Sequence, residues 1–276
     1  MQGLENHFVI VDGRETPYKP TVDESIHICD ANIGVGGDQL LVIEPPTKDG
    51  AASGAYAFMR IINVDGKDAE ACGNATRCFG WLMLEETGLD QILLETVVGP
   101  LRCWRKGNKQ VSVEMGHIST QWDLIPLSKQ VDTHRVPISS GPLIDGVALN
   151  IGNPHIVFFV DDLDAVDVAK NAFPVQNHPL FPNKVNVGVA QKVSDSLIRL
   201  SVFERPGLLT RACGSGASVA VRAAQLLGLT NKRELKVEML AGSVTVDLDE
   251  NNNVILTGPV EYCFSGRLTG REGRAV

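Results

Sequence analysis

Aromatic residues are scarce in this chain: Phe, Trp and Tyr together make up 5% of its 276 residues. A core built from it must rest on Val, Leu, Ile and Ala, and a hydrophobic content of 43% is ample for a globular protein. Basic charge is scarce as well. The formal net charge is −8 and no Lys/Arg-rich run occurs, which excludes the basic patch of a nucleic-acid-binding surface. The acidic excess is expected to be a solvated face. Long apolar runs are absent. A stretch such as Ile156–Val160 is far short of the roughly 20 residues that cross a bilayer, so no membrane partner is expected. The first residues, Met1 to Asp12, have no basic segment followed by an apolar one. No secretory signal is therefore expected, and a cytoplasmic location is.

The six cysteines, at positions 29, 72, 78, 103, 213 and 263, include no Cys-x-x-Cys pair and no His/Cys cluster at zinc-ligand spacing. Without a secretory signal they are expected to be free thiols, with no metal site and no disulfide framework.

What the chain does have is an internal repeat. Met59-Arg-Ile-Ile-Asn63 leads through a polar loop to Ala71-Cys72-Gly73-Asn74, and Ile198-Arg-Leu-Ser-Val-Phe-Glu204 leads through another to Ala212-Cys213-Gly214-Ser215. The cysteines are 141 residues apart (213 − 72). Each is followed by apolar residues at helical spacing, Ala75, Cys78, Phe79 and Leu82 in one copy and Ala217, Ala220, Val221 and Ala224 in the other. Each helix is expected to end at a glycine, Gly88 or Gly228. Beyond the helices, Glu95–Leu101 matches Glu238–Val244, and alternating runs follow at Gln110–Met115 and Asn253–Thr257, as in hairpins. Asn6–Asp12 matches Asn153–Asp161. The fold class expected is α+β, in two pseudo-symmetric halves, each a mixed, strand-rich sheet wrapped around a central helix. Residues 1–118 with 264–276 form the half carrying Cys72, and residues 119–263 the half carrying Cys213. The junction is expected in the polar stretch Gly116–Gly141.

A cysteine at a helix start faces backbone N–H groups that have no partner within the helix and carry partial positive charge. Such a place lowers a thiol's pKa and also binds carboxylates. Two of them facing one cleft would hold a substrate carboxylate, with one sulfur on each side of its α-carbon. A thiolate would remove the α-proton and a thiol would return one to the opposite face. The expected activity is cofactor-independent amino-acid epimerisation by Cys72 and Cys213. The remaining cysteines are expected to be core residues.

At these residues the chain resembles the diaminopimelate epimerase family, which works without pyridoxal phosphate. The resemblance is carried by Gly3–Asp12, Gly34-Val-Gly-Gly-Asp-Gln39-Leu40, Asn63-Val-Asp-Gly66, Ala71–Cys78, Gly152-Asn-Pro-His155, His178–Asn186, Glu204-Arg205 and Ala212–Ala217. It covers essentially the whole chain. It implies conversion of LL-2,6-diaminopimelate to the meso form, in lysine and peptidoglycan precursor biosynthesis, by a homodimer. It further implies that Gly73, Asn74, Gly214 and Ser215 hold the reacting carboxylate. Asn63, Asn186 and Arg205 match positions that hold the distal end of the substrate, Glu204 and His155 match residues that support catalysis, with Glu204 also at the substrate, and Asn6, Gln39 and Asn153 match further contacts. The family usually has Gly and Asp around the first asparagine where this chain has Glu5 and His7, and Glu-Arg-Gly-x-Gly where it has Glu204-Arg205-Pro206-Gly207-Leu208. Three alternatives stay open at this point: another two-thiol racemase or isomerase such as a hydroxyproline epimerase, a thiol-redox protein, and a non-catalytic carboxylate-binding module.

Overall fold

A computed structural model describes residues 1–69, 72–251 and 253–268. The first half contains β1 (Gln2–Gly3), β2 (Asn6–Asp12), α1 (Val22–Cys29), β3 (Gln39–Glu44), α2 (Lys48–Ala52), β4 (Ala57–Asn63), β5 (Asp68–Ala69), α3 (Gly73–Thr87), β6 (Gln91–Thr96), β7 (Gly99–Arg105) and β8 (Gln110–His117). There follow β9 (Val136–Ser140), β10 (Leu143–Asn150), β11 (Pro154–Phe159), α4 (Val168–Gln176), β12 (Asn186–Ser194), β13 (Leu197–Glu204), β14 (Leu208–Thr210), α5 (Gly214–Leu226), β15 (Glu234–Met239), β16 (Gly242–Leu248) and β17 (Asn253–Pro259).

The pairing pattern repeats as the sequence does. In the first half β2 and β3 run parallel, β3 and β4 antiparallel, and β4 pairs parallel with β6, which continues antiparallel into β7 and β8. In the second, β11 and β12 run parallel, β12 and β13 antiparallel, and β13 pairs parallel with β15, which continues antiparallel into β16 and β17. β3 is buried on both faces from Leu40 to Ile43, the mark of a strand covered on two sides. β15 alternates exposed and buried along Glu234–Met239, as a strand with one wet face does.

The central helix of each half explains that burial. α3 is buried on every side from Gly73 to Gly80, and α5 from Gly216 to Val221, as expected of a helix ringed by strands. Ala75, Cys78, Phe79, Met83 and Leu84 pack among Phe8, Leu41, Ile61, Leu94 and Val113. Ala217, Val219, Ala220, Val221 and Ala224 pack among Val157, Leu200, Val237, Val246 and Leu256. The halves join where β8 pairs antiparallel with β17, from Gln110 opposite Pro259 to His117 opposite Asn253.

Two details differ from the sequence reading. The polar loops expected before the cysteines contain short strands, β5 and β14, which fold back on β4 and β13. The stretch between β8 and β9 has no strand or α-helix but is packed, with Ile125 and Leu127 buried beside α4 and β10–β12. Of the terminal segment assigned to the first half, residues 269–276 lie outside the described residues. Glu70, Ala71 and Asn252 do as well.

Candidate active site

Cys72 caps α3 and Cys213 caps α5 in nearly the same backbone conformation, with φ/ψ of −152/109 and −142/110. The repeat is therefore preserved down to the dihedral angles of the two thiol-bearing residues. The helix starts also meet. A Cβ built on Gly214 would lie 3.8 Å from the Cα of Gly73, and Leu256 of β17 packs under both glycines, its Cδ2 2.8 Å from that Cβ and 3.1 Å from one built on Gly73. A larger residue at either position would press on the Leu256 side chain beneath them.

On the first side, the Cys72 thiol approaches Asn6 Oδ1 at 3.8 Å, and Asn74 Nδ2 donates to the same oxygen at 3.3 Å. Asn6 Nδ2 donates to Asp38 at 2.8 Å, and the His7 N–H donates to that carboxylate at 2.7 Å. Gln39 Nε2 donates to Asn63 Oδ1 at 2.9 Å, which leaves the buried Gln39 Oε1 without a partner among the described residues. No hydrogen bond links this Gln39–Asn63 pair to either thiol.

On the second side, the fully buried His155 ring gathers three residues. Its Nε2 lies 3.0 Å from Asn153 Oδ1, 3.1 Å from Ser215 Oγ and 3.4 Å from Asn186 Nδ2, and Ser215 Oγ is 3.4 Å from the Cys213 sulfur. Burial, aided by the positive charge of Arg205, pushes the His155 pKa down to about 3. The ring is therefore neutral at neutral pH. Asn186 Oδ1 accepts the Arg205 N–H at 2.9 Å, and the Arg205 side chain donates to the Asn183 carbonyl at 3.1 Å. Thr210 Oγ1 lies 3.3 Å from Glu204 Oε1.

Glu204 ties the two sides together, since its charge acts on both thiols. Burial first, and Glu204 second, push Cys72 up to about 11, while the nearby N–H groups of Ala75 and Asn74 oppose the rise. Cys213 is raised well above its ordinary value for the same two reasons, although the Gly216 N–H donates to its sulfur at 3.3 Å. The expectation that a helix start lowers the thiol pKa is thus corrected. Desolvation outweighs the helix start, and both groups rest as thiols. Glu204 is itself raised by burial. All six cysteines are free.

The family model described as "Diaminopimelate epimerase" matches residues 1–120 and 147–263. The chain belongs to the diaminopimelate epimerase family. It is 41% identical over 269 residues to a diaminopimelate epimerase of Rhodospirillum centenum, covering 98% of this chain and 91% of that one. It is 39% identical to one from Pelagibacter ubique, covering 94% of each. Among solved structures it resembles a PhzF-family phenazine biosynthesis protein from Bacillus anthracis, with a TM-score of 0.64, 18% identity and coverage of 94% and 92% of the two chains. A hydroxyproline epimerase from Agrobacterium vitis superimposes with a TM-score of 0.60 at 17% identity, covering 95% and 89%. At such identities these last two show the fold alone. The expected family, fold class and isomerase class are borne out.

The departures from the diaminopimelate epimerase pattern have distinct structural outcomes. Glu5, where the family usually has glycine, takes a left-handed φ of 59°, and Leu4 before it takes 55°. Glu5 forms an ion pair with Arg211. His7 follows with its backbone held by Asp38. Pro206 follows Arg205 through a cis peptide bond. Leu208 is in β14 and is not among the residues of positive φ, so it replaces glycine without needing glycine's conformations. Three site neighbours escaped the sequence reading: Asp38, Thr210 and Arg77. Asp38 and Arg77 lie inside the motifs Gly34–Leu40 and Ala71–Cys78, but nothing in their spacing marked them as partners of Asn6 and Asn74.

Proposed function

We propose that Cys72 and Cys213 form the acid/base pair of this enzyme. Its activity is that of its family, epimerisation of LL-2,6-diaminopimelate to meso-diaminopimelate, in lysine and peptidoglycan precursor biosynthesis. The observation that carries the mechanism is the convergence of two cysteine-capped helix starts, Gly73 against Gly214, with Glu204 acting on both thiols.

One of the two resting thiols first gives its proton to solvent, and the thiolate so formed takes the α-proton. The S–H bond forms as the Cα–H bond breaks, and the electron pair is left on Cα, delocalised into the carboxylate. The opposite thiol then gives its proton to the other face and becomes the thiolate, so the roles are exchanged after each inversion. Backbone N–H groups at Gly73, Asn74, Gly214 and Ser215 stabilise the negative carboxylate where charge accumulates. Burial makes that stabilisation stronger. The reverse reaction uses the same groups in swapped roles.

Asn63, Asn186 and Arg205 hold the distal amino-acid end of the substrate. Arg205 has no carboxylate within ion-pair distance among the described residues, which suits a guanidinium that pairs with a substrate carboxylate. The free acceptor of Gln39 suits an ammonium group. Asn6 and Asn153 complete the contacts, and Glu204 and His155 orient Cys213 and Ser215. A cytoplasmic homodimer is proposed with this reading. So is the division into residues 1–118 with 264–276 and 119–263, which the packing of Leu268 against Ile28, Leu40 and Val42 supports.

The test is deuterium incorporation from D₂O into diaminopimelate. The parent is expected to incorporate one solvent deuterium per inversion. Cys72→Ala and Cys213→Ala are each expected to invert more slowly by about 10²- to 10⁴-fold. Inversion at the parent's rate by either variant overturns the two-thiol reading.

A further inference from the structure

The largest fully buried side chain of the described residues is charged. Arg77, four residues into α3, has 0% exposure, and no carboxylate lies within 4 Å of it among the described residues. A buried cation is ordinarily paired, because water no longer offsets its charge. Here it makes two contacts. Nη2 donates to Asn74 Oδ1 at 2.7 Å, and Nη1 reaches the Gly73 carbonyl at 3.4 Å, while Nε has no partner.

Its surroundings are built to admit it. A Cβ on Gly258 of β17 would come within 2.9 Å of Nε and 3.0 Å of Cζ, one on Gly3 of β1 within 3.6 Å of Nη2, and one on Gly214 of α5 within 3.9 Å of Nη1. The guanidinium therefore lies beside both helix starts, in contact with the carbonyl of Gly73 after Cys72 and facing Gly214 after Cys213. The contact to Asn74 also sets a direction. With Asn74 Oδ1 facing Arg77, Asn74 Nδ2 must face Asn6, whose Oδ1 is the atom the Cys72 thiol approaches.

We propose that Arg77 is a positioning residue for the epimerisation: a buried cation, without a carboxylate partner among the described residues, that orients Asn74 and Asn6 toward Cys72 and stabilises negative charge where the two helix starts meet. Its counter-charge is the one the reaction brings, thiolate and substrate carboxylate. The ionisable groups facing Cys72 are Glu204 from β13, which opposes the thiolate, and Arg77 from α3, which favours it. Cys78, the other thiol near the guanidinium, is pushed up to about 12 by burial and stays neutral.

The proposal rests on the two-thiol reading, and its test is separable from it because alkylation needs no substrate and is read at Cys72 alone by mass spectrometry of its peptide, which sets aside the exposed free thiol of Cys263. In a Cys213→Ser background, the rate of Cys72 alkylation by iodoacetamide is followed against pH with Arg77, Arg77→Met, Arg77→Lys and Arg77→Gln, each checked for folding by circular dichroism. Arg77→Met is expected to slow alkylation at fixed pH at least tenfold and to move its pH midpoint upward. Arg77→Lys keeps charge without the planar fork and should stay near the parent, and Arg77→Gln keeps a donor without charge and should behave as Met does. In the two-cysteine enzyme, kcat for diaminopimelate should fall about 10²- to 10³-fold in Arg77→Met and recover in part in Arg77→Lys. Should Arg77→Met fail to fold, the Lys and Gln variants decide the matter. Identical titration of Cys72 in those two, or an unshifted profile in folded Arg77→Met, overturns the proposal.

Discussion

His155 shows how much one buried ring contributes and under which conditions. It is fully buried and bonded through Nε2 to Asn153, Ser215 and Asn186, with its pKa lowered from 6.5 to about 3. In the window between those values the unfolded chain takes up a proton here and the folded chain does not. The stability contribution is present above about pH 6.5 and is lost as pH falls toward 3, at about 1.4 kcal/mol per pH unit. Urea midpoints measured from pH 7 to pH 4 should fall less steeply for His155→Gln than for the parent, and equal slopes would refute the assignment. Cys72 has the opposite sign. Its pKa is raised from 9.0 to about 11, so its contribution is present below pH 9 and is lost as pH rises toward 11. Below a pKa of about 11 the thiolate fraction rises about tenfold per pH unit, so kcat/KM should increase with pH from neutrality up to the onset of unfolding. A flat profile between pH 7 and 9 would contradict a thiol base. The sequence named both residues. Their rest-state ionisation could not be read there, because it depends on how thoroughly the strands of both halves exclude water.

At the scale of elements, the two cysteine-capped helices were legible and the short strands were not. Helical apolar spacing, the Cys-Gly starts and the glycine ends place α3 and α5 within a residue or two. Gly88 caps α3 with a left-handed φ of 67°, and Gly228, at 68°, follows the α5 cap Leu227 by one position. Helix signals are local, whereas β5 and β14 are two and three residues long and exist only because β4 and β13 are there to pair with. The contact between helix starts gives a direct prediction. Gly214→Ala places its Cβ 2.8 Å from Leu256 Cδ2, so Leu256, which packs under both helix starts, must shift. A loss of about 1–3 kcal/mol in stability is expected from the overpacking. Turnover should drop by more than the stability loss implies, because a displacement of about 1 Å at a reacting centre costs up to 10²-fold. Stability loss with unchanged turnover would place the glycine outside the site.

For the whole molecule, the seam between halves is the β8–β17 pairing. Ser112 and Thr257 face each other across it with hydroxyl oxygens 2.7 Å apart, and Ser112 is buried. Removing one hydroxyl leaves the other unpaired, at a cost of about 1–3 kcal/mol, whereas removing both is nearly neutral. Ser112→Ala and Thr257→Val should therefore each lower the urea midpoint, and the double variant should recover most of the loss. Additive losses would show that the hydroxyls act independently. The repeat offset in the sequence gave the two halves, but the register that joins them, Val111 opposite Gly258 and Val113 opposite Leu256, has no local signal and is fixed by which faces both halves must bury.

The sequence by itself determined the family, the repeat, the position of both thiols and most of the polar residues around them, because each of these is a matter of residue type at a fixed spacing. Only the tertiary structure decided what those residues do to one another. It brought Gly73 against Gly214, desolvated the thiols enough to reverse the expected direction of their pKa values, and set Glu204 to act on both. It also set Arg77 beside the two helix starts with no carboxylate partner among the described residues. The physical reason is the same in each case: desolvation and charge–charge interaction depend on distances between elements far apart in the chain, and a linear pattern does not contain those distances.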